Sequence, residues 1–436
     1  MARPEPPGRD APGGTTAPGA PPRPGPAVPE DAPGDVRVRF VLRLGRALHT
    51  YGYPSHRLEQ VMGLVARRLG LEGQFFSQPT SIFAAFGPQD RQRTYLMRVE
   101  PGEVHLEKLV AVDQVAGDVL RGALDPERGT SRIEAIVAAP PRYGTAVTLA
   151  AYAVSSAAAG RFLGGGAREI ALALVLGLAV GALALLTARA PTARGVFEPL
   201  AALVAAALAA SASVAIGPCS VYVATLAGII ALIPGLTLTT AMTELSTRHL
   251  ASGTARLSGA VVLFLGIGFG VAMGGKLAAL VFGAPRIAEP RELAAWTEWV
   301  ALLLAPVSLA ALFRAPPREL PWIVLTGVLA FFGGRLGARV LGPELGIFAG
   351  ALTAGIASNA YARWRDRPSS VTLVPAVLLL VPGSIGFKSL ALLLERHIVV
   401  GVESAFRMVI MLSALVGGLL IANVVLPVRR PGELLA

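Results

Sequence analysis

Apolar stretches long enough to form transmembrane helices recur from about residue 143 to the end of the chain. About 18 or more consecutive apolar residues can cross the hydrocarbon core of a bilayer as a helix. Of the 436 residues, 53% are hydrophobic and only 15% are charged, which is too apolar for a soluble protein. Because backbone polar groups in lipid must be satisfied within the protein, these stretches predict an all-α polytopic membrane protein.

We assign ten spans, five in each half of this region. The first five are 143–162, 167–188, 196–216, 217–233 and 254–282, and the second five are 293–313, 320–340, 343–361, 369–382 and 402–427. The two groups define predicted membrane domains at residues 143–283 and 293–427.

Each half contains one apolar helix interrupted by Pro-Gly, at Pro234-Gly235 and at Pro382-Gly383. An offset of 148 positions superposes the two interruptions. The same offset superposes three further pairs of identical residues: Arg248 and Arg396, His249 and His397, and Gly253 and Gly401. Matched interruptions in two halves point to the substrate site of a transporter. Because five is an odd number of spans, the second repeat is expected to lie upside down relative to the first.

The part of the chain before the spans has a different composition. Residues 1–34 are rich in Pro, Gly and Ala, which predicts disorder, and they lack the apolar segment of a signal peptide. Residues 36–140 alternate helical apolar periodicity with three short strand patterns, which predicts a small α+β domain. Since no export signal precedes this domain, we expect it to stay in the cytoplasm.

The distribution of Arg among the short loops also bears on orientation. It favours an inner side for the loops containing Arg248, Arg314 and Arg365, and an outer side for those containing Arg161 and Arg286. The prediction is therefore a multi-pass protein of the cytoplasmic (plasma) membrane with its N-terminal domain inside.

The N-terminal domain resembles the opening of the threonine/serine exporter family. Three segments carry the resemblance: Leu-His-Thr-Tyr-Gly-Tyr-Pro-Ser-His-Arg-Leu-Glu at 48–59, Ala-Arg-Arg-Leu-Gly-Leu at 66–71 and Gln-Pro-Thr-Ser-Ile at 78–82. The resemblance implies a cytoplasmic domain followed by about ten spans, and export of threonine or serine. Some members of the family are split into two chains, one per half, which agrees with the internal repeat.

The candidate substrate-binding residues surround the two interruptions. Each proline removes a backbone donor, so freed carbonyls and the start of the following half-helix need partners, which a zwitterionic amino acid can supply. The candidates are Pro234, Gly235, Thr237, Thr239, Thr240, Glu244, Pro382, Gly383, Ser384, Lys388 and Asn359. Two alternatives stay open: threonine hydroxyls that bond back to their own helical turn, and asparagines that only join helices.

Charged residues within the spans suggest how the substrate is held and driven. Glu244 and Lys388 offer both signs for a zwitterion, and Glu244 could instead carry a proton. Without a P-loop, an ion gradient, presumed to be H+, is the expected energy source. A dicarboxylate such as succinate is the rival substrate, bound through Lys388 and Arg335.

Other classes of function receive less support. The net charge of +11 lacks an interleaved aromatic pattern, so nucleic acid is not an expected partner. The five histidines lack metal-ligand spacing, and the single Cys219 cannot form an intrachain disulfide. We expect a transporter without cofactor rather than an enzyme, with a homo-oligomer left open. A membrane-embedded hydrolase using Ser55, His56 and Glu59 is the alternative from another class, and a tethered structural or signalling protein is a third.

Overall fold

The computed structural model describes residues 35–100, 102–190 and 195–428. The segment 1–34, predicted to be disordered, lies outside the described residues.

The N-terminal domain consists of four helices and an antiparallel sheet. Its elements are α1 (Val36–Thr50), α2 (Ser55–Arg68), β1 (Gly73–Gln78), β2 (Ser81–Phe86), β3 (Arg93–Arg98), α3 (Leu106–Leu120) and α4 (Pro126–Ala138). The three strands pair in chain order as a meander. Gly52 has a positive φ of 91°, which lets the chain turn sharply between α1 and α2. The core is formed by the apolar faces of the helices, including the fully buried Phe40, Leu58 and Leu109.

Twelve helices follow in the described part of the chain. They are α5 (Thr145–Phe162), α6 (Ala167–Thr187), α7 (Phe197–Ala215), α8 (Val221–Gly228), α9 (Gly235–Ser246), α10 (Leu250–Phe282), α11 (Trp296–Leu312), α12 (Leu320–Leu341), α13 (Pro343–Arg365), α14 (Ser370–Leu380), α15 (Gly383–Leu394) and α16 (Ile398–Val425).

Seven candidate spans are long and apolar enough to cross a membrane, or eight if the bent α8–α9 pair is one span. The protein is therefore a polytopic membrane protein. The count of eight leaves out two of the ten predicted spans. These two correspond to α5 and α11, which are 18 and 17 residues long. The count of ten stays a prediction.

The sequence suggested that the fourth and ninth spans end at the prolines, but in the structure the chain continues as a helix beyond each proline. The helix resumes at once, as α9 after Pro234 and as α15 after Pro382, and α8 and α9 meet at a bend of 51°. The prolines occupy the N-cap positions, where a missing N–H is tolerated because no helical partner is needed there. The polar segments after the breaks are thus half-helices, and α10 and α16 begin four residues earlier than predicted, at Leu250 and Ile398.

The two halves match in backbone detail at the offset of 148. The ends of α9 coincide with the ends of α15. Both are followed by an arginine in the left-handed region, Arg248 and Arg396, each with a φ of 67°. A Cβ on Gly253 would lie 2.7 Å from Leu245 Cγ, and one on Gly401 would lie 2.7 Å from Leu393 Cγ. These equivalences support a structural repeat.

The two breaks pack directly against each other. A Cβ built on Gly235 would lie 2.8 Å from Val381 Cγ1, and one built on Gly383 would lie 2.6 Å from Ile233 Cγ2. Ile233 and Val381 are themselves related by the offset of 148, so the contact is reciprocal. A reciprocal contact of this kind is what a two-fold relation between the repeats produces.

Different contacts mark the two ends of the bundle. At one end, Leu106 N and Glu107 N of the N-terminal domain donate to Phe313 O and Arg314 O of the α11–α12 loop, at 2.9 and 3.2 Å. At the other end, the Arg161 guanidinium in the last turn of α5 donates to Thr297 Oγ1 in the first turn of α11 at 2.7 Å. Which end faces the cytoplasm stays a prediction.

We predict that Gly383→Ala destabilises the protein because the added methyl group overlaps Ile233 at the crossing of the breaks. Overpacking of this kind costs about 1–3 kcal/mol. The measurement is thermal unfolding of the purified protein in detergent. Ile233→Ala in the same chain should restore part of the loss, and a Gly383→Ala protein that melts like the parent would contradict the reciprocal packing.

Candidate functional site

A cavity of about 930 Å³ lies between the N-terminal domain and the helix bundle. Helices α2 and α3 form its wall on the N-terminal side, and α9, α13, α14 and α16 form its wall on the bundle side. A volume of this size accommodates a small molecule and its hydration. The bundle side is mostly apolar with a few hydroxyl and amide groups and one charged turn, Asp366 and Arg367, while the N-terminal side is charged.

The first break contributes one face of α9 to the cavity, through Thr239, Thr240 and Thr243. The Thr239 hydroxyl donates to Gly235 O at 3.0 Å, and the Thr243 hydroxyl donates to Thr239 O at 2.8 Å. These two hydroxyls therefore bond to their own helix, which was one of the alternatives for the threonines. The Thr240 hydroxyl has no hydrogen-bond partner within the described residues, so it is the one available to a ligand.

Thr237 lies outside the cavity lining, as do Pro234 and Gly235, whose backbone positions are taken up by the crossing of the breaks. Asn359 of α13 does line the cavity. Its Nδ2 donates to Asn423 Oδ1 at 3.0 Å and to Leu426 O at 2.8 Å, so this amide ties α13 to the end of α16. The NH₂ group of Asn359 therefore joins two helices, which was one of the alternatives left open by the sequence.

The residues of the second break are not brought to this cavity. Pro382 and Gly383 are buried against the first break, Ser384 is half-buried, and Lys388 is exposed, all outside the lining. The reason is geometric: α9 runs from the crossing toward the N-terminal domain, whereas α15 runs to the other end of the bundle. The expectation that Glu244 and Lys388 face one ligand is thus wrong for this conformation.

Glu244 joins α9 to the N-terminal domain instead. Its side chain is fully buried, and Oε1 accepts a hydrogen bond of 2.9 Å from Ser55 N at the start of α2. Oε2 accepts from the Ser252 hydroxyl, and Arg256 Nε lies 3.0 Å from the same oxygen. A carboxylate at a helix N-terminus with a paired guanidinium is well compensated for its burial. We call Glu244, Ser252, Arg256 and Ser55 the interdomain clamp.

A second polar contact lies beside the clamp. Glu59 Oε1 accepts from Ser77 N at 2.7 Å, and Glu59 Oε2 lies 3.4 Å from His249 Nε2 on the α9–α10 turn. The ring of His249 also lies 5.8 Å from the ring of His56. Ser55 Oγ is buried and lies 2.8 Å from Ser252 Oγ, so this hydroxyl has a partner on the bundle.

The charged wall of the cavity was missed in the sequence. Asp113 of α3 lines the cavity, and burial together with the nearby Asp366 raises the pKa of its carboxyl to about 6. Tyr53, which hydrogen-bonds this carboxyl, and Arg367 act in the opposite direction. A single Asp between apolar residues of an amphipathic helix is the only signal that the sequence offers for it.

We predict that Glu244→Ala strongly destabilises the docking of the N-terminal domain, because it leaves Arg256 without its partner and Ser55 N without an acceptor. Breaking a buried pair by removing one partner costs about 3–5 kcal/mol. Limited proteolysis and thermal unfolding measure the effect. Lys388→Ala, which removes an exposed charge, is the control and should behave like the parent; equal stability of the two variants would contradict the clamp.

Two family models together match nearly all of the chain after its first 38 residues. The model described as "Putative threonine/serine exporter" matches residues 39–278, and the one described as "Threonine/Serine exporter, ThrE" matches residues 298–425. The boundary between the two matches falls between the two groups of helices.

The curated relatives include fungal membrane proteins. The chain is 28% identical over 385 residues to the "Pheromone-regulated membrane protein 10" of Debaryomyces hansenii, covering 85% of this chain and 37% of the relative. It is 28% identical over 361 residues to the protein of that name in Saccharomyces cerevisiae, covering 80% of this chain and 46% of the relative. The chain thus spans less than half the length of these relatives. No solved structure matches.

Proposed function

The chain belongs to the threonine/serine exporter family, and we propose that it exports threonine or serine across the cytoplasmic membrane by alternating access. The observation that carries the proposal is the cavity that reaches the threonine face of α9 directly below the crossing of the two breaks. Broken helices at the interface of two repeats are where transporters of this architecture bind substrate.

The crossing of the breaks supplies the pivot for such a mechanism. With inverted repeats, α9 and α15 are equivalent half-helices that run from the crossing to opposite ends of the bundle. The cavity on the N-terminal-domain side includes Thr240 of α9, and the offset of 148 relates Thr240 to Lys388 of α15. In the outward-open state we expect the cavity to close around Thr240 and a second cavity to open beside Ser384 and Lys388.

The N-terminal domain covers the entrance to the cavity. Because Glu244 lies on α9, a movement of α9 pulls on the start of α2 through the interdomain clamp. We therefore assign Glu244 to coupling between the domain and the transport helices. Its carboxylate oxygens are occupied by Ser55 N, Ser252 and Arg256, and the residue is absent from the cavity lining, so a role in contacting substrate is not supported.

Dicarboxylate export is the second candidate, and one observation favours it. Arg57 and Arg367 line the cavity and form no salt bridge within the described residues. Two unpaired guanidinium groups suit a dianion. Arg335, assigned to this role from the sequence, lies 3.1 Å from Glu298 Oε1 and outside this cavity.

We predict that Thr240→Val reduces threonine export while Thr237→Val does not. Both changes remove a hydroxyl from α9 at nearly constant volume, but only Thr240 lines the cavity with its hydroxyl available. Loss of one hydrogen bond to the substrate corresponds to a roughly fivefold or greater fall in efflux at low internal threonine. Equal efflux by the two variants would place the substrate elsewhere.

We predict that efflux of labelled threonine from preloaded cells requires this protein and is abolished by an uncoupler, because an ion gradient is the expected energy source. Labelled succinate in the same cells is the comparison. Succinate efflux without threonine efflux would replace the substrate and keep the mechanism, and efflux of neither compound would contradict transport.

A further inference from the structure

The two walls of the cavity together carry both signs of charge. Asp113 of α3, Arg57 of α2, and Asp366 and Arg367 of the α13–α14 turn all line the cavity. Asp366 is exposed, while Arg57, Asp113 and Arg367 are half-buried. A ligand that carries both signs of charge would meet a group of opposite sign on these walls for each of its own charges.

Two buried polar atoms in the lining residues point independently to a ligand. Ser370 Oγ and His56 Nδ1 are both inaccessible to solvent, and neither has a hydrogen-bond partner. Burial lowers the pKa of the His56 imidazole to about 4, so the ring is neutral at pH 7 and offers an acceptor nitrogen. Unpaired buried polar atoms are rare in native proteins, and these two belong to residues of the cavity lining, so a ligand that reorients either side chain would pair it.

The carboxyl of Asp113 is the group most in need of a cationic partner. It lies across the domain boundary from Asp366, and both burial and that second carboxylate disfavour its ionised form. A hydrogen bond with Tyr53 and the charge of Arg367 compensate only in part, because the pKa still rises to about 6. An ammonium group placed between the two carboxylates would remove the repulsion between them.

We propose that the cavity has, on its N-terminal-domain side, a binding subsite for a small amino acid, in which Asp113 receives the ammonium group. The carboxylate is received by Arg57 of the same wall or by Arg367 of the facing α13–α14 turn. The inference rests on the proposed function for the identity of the ligand. It assigns substrate recognition to the N-terminal side of the cavity. A zwitterion fits this wall because it presents both charges to it at once.

Occupancy of this subsite depends on pH with a definite sign. A proton and an ammonium group compete for the Asp113 carboxylate, so affinity falls as the pH drops below about 6, by up to about tenfold per pH unit. The other charged groups lining the cavity are Asp118 and Arg121 of α3, Arg67 of α2 and Arg132 of α4, and α1 contributes none. Asp118 is already paired with Arg121 and Arg132, at 2.7 and 3.3 Å.

A dianion makes the opposite prediction. Protonation of Asp113 removes a negative charge close to Arg57 and Arg367, so succinate would bind more tightly as the pH falls from 7.5 to 6, where it is still mainly a dianion. The direction of the pH dependence therefore separates the two chemical classes of ligand.

The experiment measures equilibrium binding of labelled threonine to the purified full-length protein in lipid nanodiscs between pH 5 and pH 7.5. Asp113→Asn is the test variant, and Asp118→Asn is the matched control on the same helix and in the same cavity. We expect the parent to bind more tightly as the pH rises through 6. Asp113→Asn should bind about tenfold more weakly at pH 7.5 and lose the pH dependence, while Asp118→Asn keeps it.

Tyr53→Phe is the second variant. It removes the hydrogen bond to the Asp113 carboxyl and leaves the carboxyl itself in place. The phenol stabilises the ionised form of Asp113, so its loss should move the midpoint of the pH profile upward. Asp113→Asn removes a buried charge beside Asp366 and should melt no lower than the parent at pH 7.5, which checks that weak binding is not misfolding.

The outcomes separate this inference from the transport proposal. Threonine binding by Asp113→Asn equal to that of the parent, or no threonine binding by the parent, overturns the subsite even if cells export threonine. Binding that depends on Asp113 in a protein that moves no threonine in cells leaves the subsite standing and overturns the transport proposal.

Discussion

The mutual contact of two helix breaks determines the arrangement of the bundle. Gly235, the first residue of α9, faces Val381, and Gly383, the first residue of α15, faces Ile233. Each half-helix therefore begins against the residue that precedes the proline of the other break. Glycine is needed at both points because any Cβ there would come within 2.8 Å of the opposing side chain. From this crossing α9 and α15 extend to opposite ends, and helix pairs such as α7–α10 and α13–α16 pack equivalently around it.

The N-terminal domain is bound to the bundle at the places where the bundle is expected to move. The interdomain clamp holds the start of α2 to the end of α9, and the core of the domain continues into buried residues of the bundle, among them Ala315, Ile323 and Tyr361. The domain thus closes one side of the cavity and is connected to the half-helix that forms the other side. In the proposed mechanism, this connection links substrate access to the movement of α9.

The parts of this account that sequence could supply are those that repeat or have a period. The Pro-Gly breaks, the offset of 148 and the α+β domain were all readable, because local chemistry and duplication leave a pattern. The partners of charged residues were not readable. Glu244 meets Ser55 N, 189 positions away in the chain, and Asp113 acquires its character from Asp366 across a domain boundary. Burial and pairing of such groups depend on tertiary packing, which no spacing in the sequence encodes.

The central claim is that the threonine face of α9 forms a substrate pathway open toward the N-terminal domain. The chain contains a single cysteine, so Cys219→Ala provides a cysteine-free background in which Thr240→Cys is the only thiol. The measurement is labelling of that thiol by a membrane-impermeant reagent in vesicles of known orientation. The account predicts labelling from the side that carries the N-terminal domain, slowed by threonine. Labelling only from the opposite side, or labelling that threonine leaves unchanged, would contradict it.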